Sequence, residues 1–378
     1  MQMKKIYGYM RIYQNLKKGI LQGEYPDQSQ IPTEAQLQQI YGVSRITVKK
    51  ALELLQEEGL IQRFAGRGTF VRYSEGDLEK PSVKERETPV IGVMIPQIYT
   101  SFGNGLLTGI AQAANEKGYC LMSGLYYQSL DEENVLIERL IRNGCSGIIA
   151  VPFHSNKGAN YGIITSALQG YPLVMADRYL DGVSLPYIGS DHEEAAAKAT
   201  AYLFDQGHRN IGFISSAPTT TAIMDRERGY MRSYAMTSYC IRPETMISDI
   251  RSSMPGQYSH ETVRQDVERM KRYFADNPDV TALMCIDYNI MRICETAALE
   301  LGMQIPEDLS LICFDTPEDD HTRQRYTHVQ QPEVEIGRTA VDMLVDAIRG
   351  NKEPRNVMLT AELYIGESTG KPKEDQNP

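Results

Sequence analysis

The segment from residue 31 to 71 constrains this chain more than any other feature, because its pattern predicts two short helices, a tight turn and a hairpin. Thr33 with Gln36 three residues later matches a capping box, so a helix is predicted to begin there. Gly42 breaks that helix and Ser44 can cap a second one, whose apolar residues recur at helical spacing. Two apolar runs then flank a glycine-containing turn. This order predicts a helix-turn-helix followed by a hairpin wing.

Basic and hydroxyl side chains share the face of the second helix that lies opposite its apolar stripe. Arg45 and Lys49 stand four residues apart, with Thr47 and Lys50 near them. The start of such a helix also presents backbone N–H groups that suit phosphate. The turn at 65–68 carries a basic, flexible tip that fits a minor groove. The segment therefore predicts binding to duplex DNA, and an ordinary solvated surface helix is the alternative.

The charge distribution also favours DNA binding by the amino-terminal part of the chain. Residues 1–72 hold 11 Lys and Arg and 6 Asp and Glu, a net charge of +5, whereas the rest holds 28 and 43, a net charge of −15. Salt screens charges over about 8 Å, so phosphates beside the amino-terminal part respond mainly to its local charge. The acidic total does not exclude DNA binding.

The same residues resemble the amino-terminal domain of GntR-type bacterial regulators, through the motifs PTE, GVSRITVKKAL, GL and GRGTFV. The resemblance implies that Arg45 reads bases, that Glu34, Thr47 and Lys49 support base and phosphate contacts, and that the glycine wing enters the minor groove. The family usually has arginine where Lys49 stands, so a phosphate contact is expected from this lysine. The expected DNA-binding residues are Thr33, Glu34, Ser44, Arg45, Thr47, Lys49, Lys50, Gly66 and Arg67.

The chain is long enough for two or three domains, and it changes character after residue 72. Residues 73–88 are polar and read as a linker. Beyond them, apolar runs alternate with segments of helical spacing, at 90–95, 120–122, 147–151, 173–175, 211–214, 282–286 and 309–314. This βα alternation predicts doubly wound parallel sheets in two lobes. The expected domains are 1–72 and 89–370, with a disordered tail at 371–378.

From 89 to about 368 the chain resembles the effector domain of LacI-type repressors, which is related to periplasmic sugar-binding proteins. The resemblance follows the motifs YIGSD, GHRNIGFI, DRERGY, TALMCID and IPEDLSLICFD. It implies a sugar-type cleft between two lobes, with chain crossings near 187, 328 and 351. In that cleft Arg226 is expected to grip ligand hydroxyls or an acid group, and Asp287 and Asp315 to follow strands of the second lobe.

Other polar and aromatic residues after the apolar runs are further candidates for the cleft. Tyr99 and Phe102 are expected to form an apolar floor, with a place in the core as the alternative. Asp177 and Arg178 are candidates for ligand contact or for a structural ion pair. Asp191 is expected to cap the next helix, and His208 to hydrogen-bond within its turn. Segment 247–260 carries no recognisable signal.

The sequence departs from the LacI-type pattern at two strand ends. Ile286 precedes Asp287 where the family usually has asparagine, and Thr316 follows Asp315 where it usually has a second aspartate. The identity of the ligand therefore cannot be transferred from the family.

A GntR-type head on a LacI-type body resembles the arabinose-responsive repressors of Gram-positive bacteria. The resemblance implies a homodimer on double-stranded operator DNA, released by a small sugar, with a pentose such as arabinose first. A corepressor such as a purine is the alternative within this class.

Other classes fit less well. A sugar-processing enzyme has no support from GxxxxGK[ST], GxSxG or HExxH motifs, so the chain is not expected to be an enzyme. A transport binding protein would need export, and no signal peptide or membrane-length apolar run is evident, so a cytoplasmic protein without membrane contact is expected. Six cysteines without a CxxC pair predict buried thiols and neither metal nor cofactor.

Overall fold

The computed structural model describes residues 3–21, 23–64, 67–72, 88–96, 102–126, 129–153, 160–317, 320–350 and 355–373. Of the predicted linker, only Thr88 is among the described residues. Gly66 and Tyr99, two predicted site residues, lie outside the described residues. The chain divides into two compact units, Met1–Arg86 and Glu87–Pro378. Within the described parts of the chain, no helix combines the length and the apolar character needed to cross a membrane.

The first unit contains three helices and a two-stranded antiparallel sheet: α1 (Met3–Leu21), α2 (Glu34–Tyr41), α3 (Arg45–Glu57), β1 (Ile61–Phe64) and β2 (Gly68–Val71). Both predicted caps are present, since Thr33 and Gln36 form the capping box of α2 and Ser44 caps α3. Gly42 ends α2 with a φ of 62°, a conformation that favours glycine. The predicted helix-turn-helix and wing are confirmed.

Helix α1 is an element that the sequence analysis did not predict. Ile12, Leu16 and Ile20 recur every four residues, and each is at most 2% exposed. They pack on Val48 and Leu52 of α3 in one apolar core. Their spacing of four residues was a readable helical signal in the sequence.

The second unit begins with a lobe built on strand–helix alternation. Its elements are β3 (Val90–Pro96), α4 (Asn104–Glu116), β4 (Cys120–Tyr126), α5 (Leu130–Arg142), β5 (Gly147–Ala150), α6 (Tyr161–Leu168), β6 (Leu173–Ala176) and β7 (Tyr187–Ser190). Its central strands β5 and β6 are buried throughout, which explains why they appear as continuous apolar runs.

The chain then forms a second lobe of the same design. Its elements are α7 (His192–Gln206), β8 (Ile211–Ile214), α8 (Thr221–Ala235), β9 (Met246–Ile247), α9 (His260–Asp276), β10 (Ala282–Cys285), α10 (Tyr288–Glu300), β11 (Ser310–Phe314), α11 (Asp320–Arg325) and β12 (Thr327–Gln330). The chain then returns to the first lobe with α12 (Glu333–Ile348) and β13 (Asn356–Leu359), and it ends in the second lobe with β14 (Glu362–Tyr364).

Each lobe holds a six-stranded sheet. The first has the order β13-β7-β6-β5-β3-β4 and is parallel throughout, and the second has the order β14-β12-β11-β10-β8-β9 with only β14 antiparallel. All seven predicted apolar runs are strands, so the prediction of two doubly wound parallel sheets is confirmed. The strands β7, β9, β12, β13 and β14 were not predicted, and each is only two to four residues long.

The chain passes between the lobes three times, each time after a strand. The crossings lie between β7 and α7, between β12 and α12, and between β13 and β14. The first two lie within four residues of the expected positions 187 and 328, whereas the third, at 360–361, comes nine residues after the expected position 351, because β13 pairs with β7 before the chain leaves the sheet.

Two smaller expectations need correction. Cys120 and Cys240 are exposed, whereas the other four cysteines are buried as expected, and all six are free thiols. Residues 371–373 of the predicted disordered tail belong to the described structure, where Lys373 forms an ion pair with Asp308.

Candidate functional site

The exposed face of α3 carries the predicted DNA-binding side chains. Val48, Ala51, Leu52 and Leu55 are fully buried and fix the orientation of the helix. Arg45 therefore lies on the opposite face, where its side chain is 79% exposed. The polar face of α3 is thus accessible to a duplex.

A shared carboxylate holds Arg45 in place. The Nε of Arg45 lies 3.2 Å from Oε2 of Glu34, and the guanidinium of Arg63 on β1 pairs with the other oxygen of Glu34. Glu34 thus links α3 to the wing. Arg63 was not among the predicted residues, and its partner is a sequence-distant residue that no local pattern reveals.

Hydroxyl groups complete the starts of the two helices. The backbone N–H of Thr33 donates to Oε1 of Gln36 at 2.8 Å. The Oγ of Ser44 lies 2.9 Å from Oγ1 of Thr47 and accepts from the Thr47 backbone N–H. Thr33 and Ser44 therefore act as caps in the structure, and any DNA contact by them must be made in addition to capping.

The two lysines of α3 have different partners. Lys49 lies 3.7 Å from Glu53 on the same helix, in a solvent-exposed pair. Lys50 places its Nζ 4.7 Å from the ring centroid of Tyr9 on α1. Lys50 is thus held towards α1, which the sequence pattern alone did not indicate.

The wing contributes an exposed Arg67 in the turn between β1 and β2, where Gln30 Nε2 donates to its carbonyl at 3.4 Å. Ile46 is a further exposed residue of α3, and its side chain is 77% exposed beside Arg45. An exposed isoleucine at the start of a recognition helix suits the methyl group of thymine. The sequence pattern could have predicted this exposed position, because Ile46 is an apolar residue on the polar face of the helix.

A cavity of about 260 Å³ lies between the two lobes of the second unit. It is lined by Pro96, Phe102, Phe153, Asp177, Arg178, Ser216, Thr219, Thr220, Ala222, Ile223, Arg226, Ser253, Met254, Pro255, Gln257, Ile286, Asp287, Asp315 and Gln331. All predicted effector-binding residues that fall within the described structure are in this set. They meet because the carboxyl ends of the strands of both sheets face the cleft.

Arg226 is the central cation of this cavity. Its Nη1 donates to the Ile286 carbonyl at 2.6 Å, its Nε donates to Nδ1 of His192 at 3.3 Å, and its Nη2 lies 3.8 Å from Oδ2 of Asp315. Burial lowers the pKa of this guanidinium, while Asp315 and Asp177 oppose the shift. These contacts fix Arg226 from three sides.

Two of the aspartates stand in strained backbone conformations. Asp177 follows β6 with a φ of 62°, and Asp315 follows β11 with a φ of 52°. Left-handed backbone is unfavourable for residues other than glycine, so the surrounding structure holds these positions against local preference. Both residues line the cavity and are buried, each with 4% of its surface exposed.

The carboxylates of the cavity differ in their ionisation. Burial opposes ionisation of Asp177, but His192, Arg178 and Arg226 outweigh it, so the pKa of this carboxyl is lowered. Burial raises the pKa of Asp287 and of Asp315, against the influence of Arg226. The cavity thus offers guanidinium groups that donate hydrogen bonds and carboxylates that accept them. This combination suits a ligand rich in hydroxyl groups.

The open alternatives at single residues now have structural answers. Arg178 lies 3.4 Å from Asp177, so these two form an ion pair and line the cavity as well. Asp191 caps α7 by accepting from the Glu194 backbone N–H, as expected. His208 has a structural role as expected, but its hydrogen-bond partners, Thr281 and the Gly370 carbonyl, lie far from its own turn in sequence. Phe102 lines the cavity and also packs on the core of the first lobe.

Segment 247–260, which carried no recognisable signal, supplies Ser253, Met254, Pro255 and Gln257 to the cavity wall. Gln331 also reaches the cavity from the crossing after β12, and its Nε2 donates to Oδ2 of Asp315 at 2.8 Å. His192, next to the cap Asp191, contacts both Arg226 and Asp177. These residues lack a distinctive pattern, since only the tertiary fold brings them to the cleft.

Comparison with known proteins finds two families along the chain. Residues 8–71 match the bacterial regulatory proteins of the gntR family, and residues 200–369 match the periplasmic binding protein-like domain. The first match covers the winged helix unit, and the second covers most of the second lobe together with α12 and β13. They confirm both resemblances stated from the sequence.

Two curated relatives align over most of the chain. The arabinose metabolism transcriptional repressor of Geobacillus stearothermophilus is 27% identical over 98% of this chain and 99% of its own length. The HTH-type transcriptional repressor CytR of Escherichia coli K12 is 26% identical over 82% of this chain and 87% of its own. Among solved structures, transcription regulator CcpA of Lactococcus lactis shares the fold with a TM-score of 0.64 at 19% identity, covering 75% of this chain and 99% of its own.

Proposed function

We propose that this chain, which joins a GntR-type DNA-binding domain to a periplasmic-binding-protein-like domain, is a transcriptional repressor released from its operator by a small sugar. The observation that carries the proposal is the presence in one chain of an exposed arginine on α3, Arg45, and of a cavity that Arg226 lines together with three aspartates. The relatives named above are themselves transcriptional repressors, which supports regulation rather than catalysis.

L-arabinose is the first effector to test. The arabinose repressor of Geobacillus stearothermophilus aligns with this chain nearly end to end, including both units. Carboxylates and guanidinium groups around a cavity can bind the ring of donating and accepting hydroxyls of a pentose without water. Phe102 and Phe153 offer apolar walls for the C–H face of the sugar.

On DNA, the expected arrangement is a homodimer on paired half-sites in the cytoplasm. One winged helix makes few base contacts, so useful affinity requires two of them. Sugar binding between the lobes would change their relative orientation and weaken operator binding. A coupling free energy of about 1–3 kcal/mol is typical of allosteric systems and alters affinity roughly 5- to 150-fold.

A mobility-shift titration tests the proposal. The full-length chain is incubated with the promoter fragment upstream of its own gene, and L-arabinose is added at increasing concentration. Release of the shifted DNA is the expected result, with D-ribose as a matched pentose control. Tighter binding on addition of a purine would instead identify a corepressor-controlled protein, and no shift with any promoter fragment would refute the DNA-binding assignment.

A further inference from the structure

The carboxylate of Glu333 caps a helix that belongs to another part of the chain. Its Oε2 accepts from the backbone N–H groups of Gly103, Gly105 and Leu106, at 2.7, 3.0 and 3.2 Å. Helix α4 has no side-chain cap of its own, because its N-cap Gly103 has no side chain and a φ of 116°. Glu333 therefore supplies the missing cap from the start of α12, across more than two hundred residues of sequence.

Close packing makes this contact specific. Glu333 is only 6% exposed. A Cβ at Gly105 would lie 2.7 Å from the Cβ of Glu333, and a Cβ at Gly109 would lie 2.1 Å from the Val334 carbonyl oxygen. Glycine at these positions lets the two helices touch along their backbones. The start of α4 is thereby fixed to the start of α12.

Phe102, which lines the cavity, directly precedes the N–H groups that Glu333 holds. Glu333 itself does not line the cavity, so it acts on the cavity through the backbone at Gly103. The carboxylate is thus placed to determine where the Phe102 side chain lies.

Glu333 is also connected to the polar side of the cavity. Its backbone N–H donates to the Gln331 carbonyl at 2.9 Å. Gln331 donates in turn from its Nε2 and its backbone N–H to Asp315, at 2.8 and 3.3 Å. Asp315 faces Arg226. A continuous series of contacts therefore runs from Arg226 in the second lobe, through the crossing after β12, to the Phe102 wall of the first lobe.

We infer that Glu333 is a positioning residue for the effector cavity: it holds the Phe102 wall in register with Asp315 and Arg226 across the lobe crossing, and thereby sets effector affinity. The part of this inference that concerns affinity rests on the proposed function. The part that concerns the Phe102 wall does not, because it is argued from the hydrogen bonds of Glu333 to the backbone that follows Phe102.

The test uses full-length chains carrying Glu333→Ala, Glu333→Gln or, as a matched control, Glu335→Ala. Glu335 is exposed on the same first turn of α12. Hydrogen exchange is measured without ligand at the amides of residues 103, 105 and 106, with α9 as the internal reference. Glu333→Ala should exchange there about 10- to 100-fold faster, whereas Glu333→Gln, which keeps an acceptor oxygen, and Glu335→Ala should resemble the parent.

Calorimetry with L-arabinose then measures the effect on affinity. We expect Glu333→Ala to weaken binding about 10-fold and Glu333→Gln to restore it to within roughly threefold of the parent. Unchanged exchange in Glu333→Ala, or faster exchange with parental sugar affinity, would overturn the inference. If Glu333→Ala does not fold, Glu333→Asp replaces it, because the aspartate side chain is one methylene shorter and its carboxylate cannot reach the N–H groups of α4.

The two proposals fail separately. If the parent gives no heat with L-arabinose, the effector assignment fails, and the exchange comparison still decides whether Glu333 holds the backbone that follows Phe102.

Discussion

The guanidinium carbon of Arg226 lies 3.9 Å from the centroid of the Phe314 ring. Phe314 is the last residue of β11 and is fully buried. A guanidinium on an aromatic face gains from the ring quadrupole and from its own planarity, which an ammonium group lacks. The stacking, together with the Ile286 carbonyl, leaves Arg226 little rotational freedom.

Replacing Arg226 by lysine should therefore impair effector binding while sparing DNA binding. Lysine keeps the positive charge beside Asp315 but loses the planar fork, so we expect sugar affinity to fall about 10- to 100-fold. Calorimetry measures the affinity and a mobility shift measures operator binding. Arg228→Lys, at an exposed arginine of the same helix, serves as the control. Parental sugar affinity in Arg226→Lys would contradict the role of the cavity.

Arg45→Ala should abolish discrimination between operator and unrelated DNA. A bidentate base contact provides about 1–3 kcal/mol of discrimination at each half-site. Competition mobility shifts with specific and nonspecific duplexes measure this ratio. Lys18→Ala removes the same charge from an exposed position on α1 and should leave the ratio unchanged. An equal effect of the two substitutions would argue that α3 contributes only general charge.

Lys49→Ala should weaken binding to all sequences alike. A phosphate contact carries no sequence information, and each neutralised phosphate contributes about one unit to the slope of log affinity against log salt. The slope should thus become shallower by about one per bound head, while the specificity ratio stays constant. Loss of specificity in this variant would instead assign a base contact to Lys49.

The stability of the second unit should depend on pH through Glu333. Burial, together with Asp315, raises the pKa of this carboxyl from 4.5 to about 7 against the N–H groups that it accepts from. The folded state therefore binds the proton more tightly, and the stabilisation present below pH 4.5 is lost as the pH rises through about 7. Urea unfolding of the parent relative to Glu333→Gln should show this loss between about pH 5 and 8. A difference that does not vary with pH would contradict the raised pKa.

Gly109→Ala should destabilise the chain, although alanine normally favours a helix by about 0.5–1 kcal/mol over glycine. The new Cβ would lie 2.1 Å from the Val334 carbonyl oxygen and would force α4 away from α12. Thermal unfolding should show a lower midpoint, whereas Gln112→Ala on the exposed side of α4 should not lower it. A stabilising effect of Gly109→Ala would mean that the helices are farther apart than described.

Much of the fold was predictable from local signals. The caps at Thr33 and Ser44 and the buried strands β5 and β6 depend on residues close in sequence, so their patterns are readable. The strand-end rule also predicted Asp177, Asp287 and Asp315 at one cavity. Their proximity follows from parallel sheets, which bring all carboxyl ends to the same side.

The remaining parts depend on contacts between distant residues. Arg63 meets Glu34, and Glu333 meets Gly103, only because the tertiary fold brings them together. The segment around Ser253 enters the cavity without regular secondary structure, so no periodicity marks it. Ile46 is the exception, since an apolar residue among charged neighbours was a local signal of an exposed contact.

The three passages between the lobes are very short, and this limits how the second unit can move. A single residue, Asp191, separates β7 from α7, and only Gln331 and Pro332 separate β12 from α12, while Thr360 and Ala361 separate β13 from β14. The ring of Pro332 fixes one of these backbone torsions. Any opening or closing must be absorbed by the few dihedral angles that remain, so the lobes cannot slide far apart.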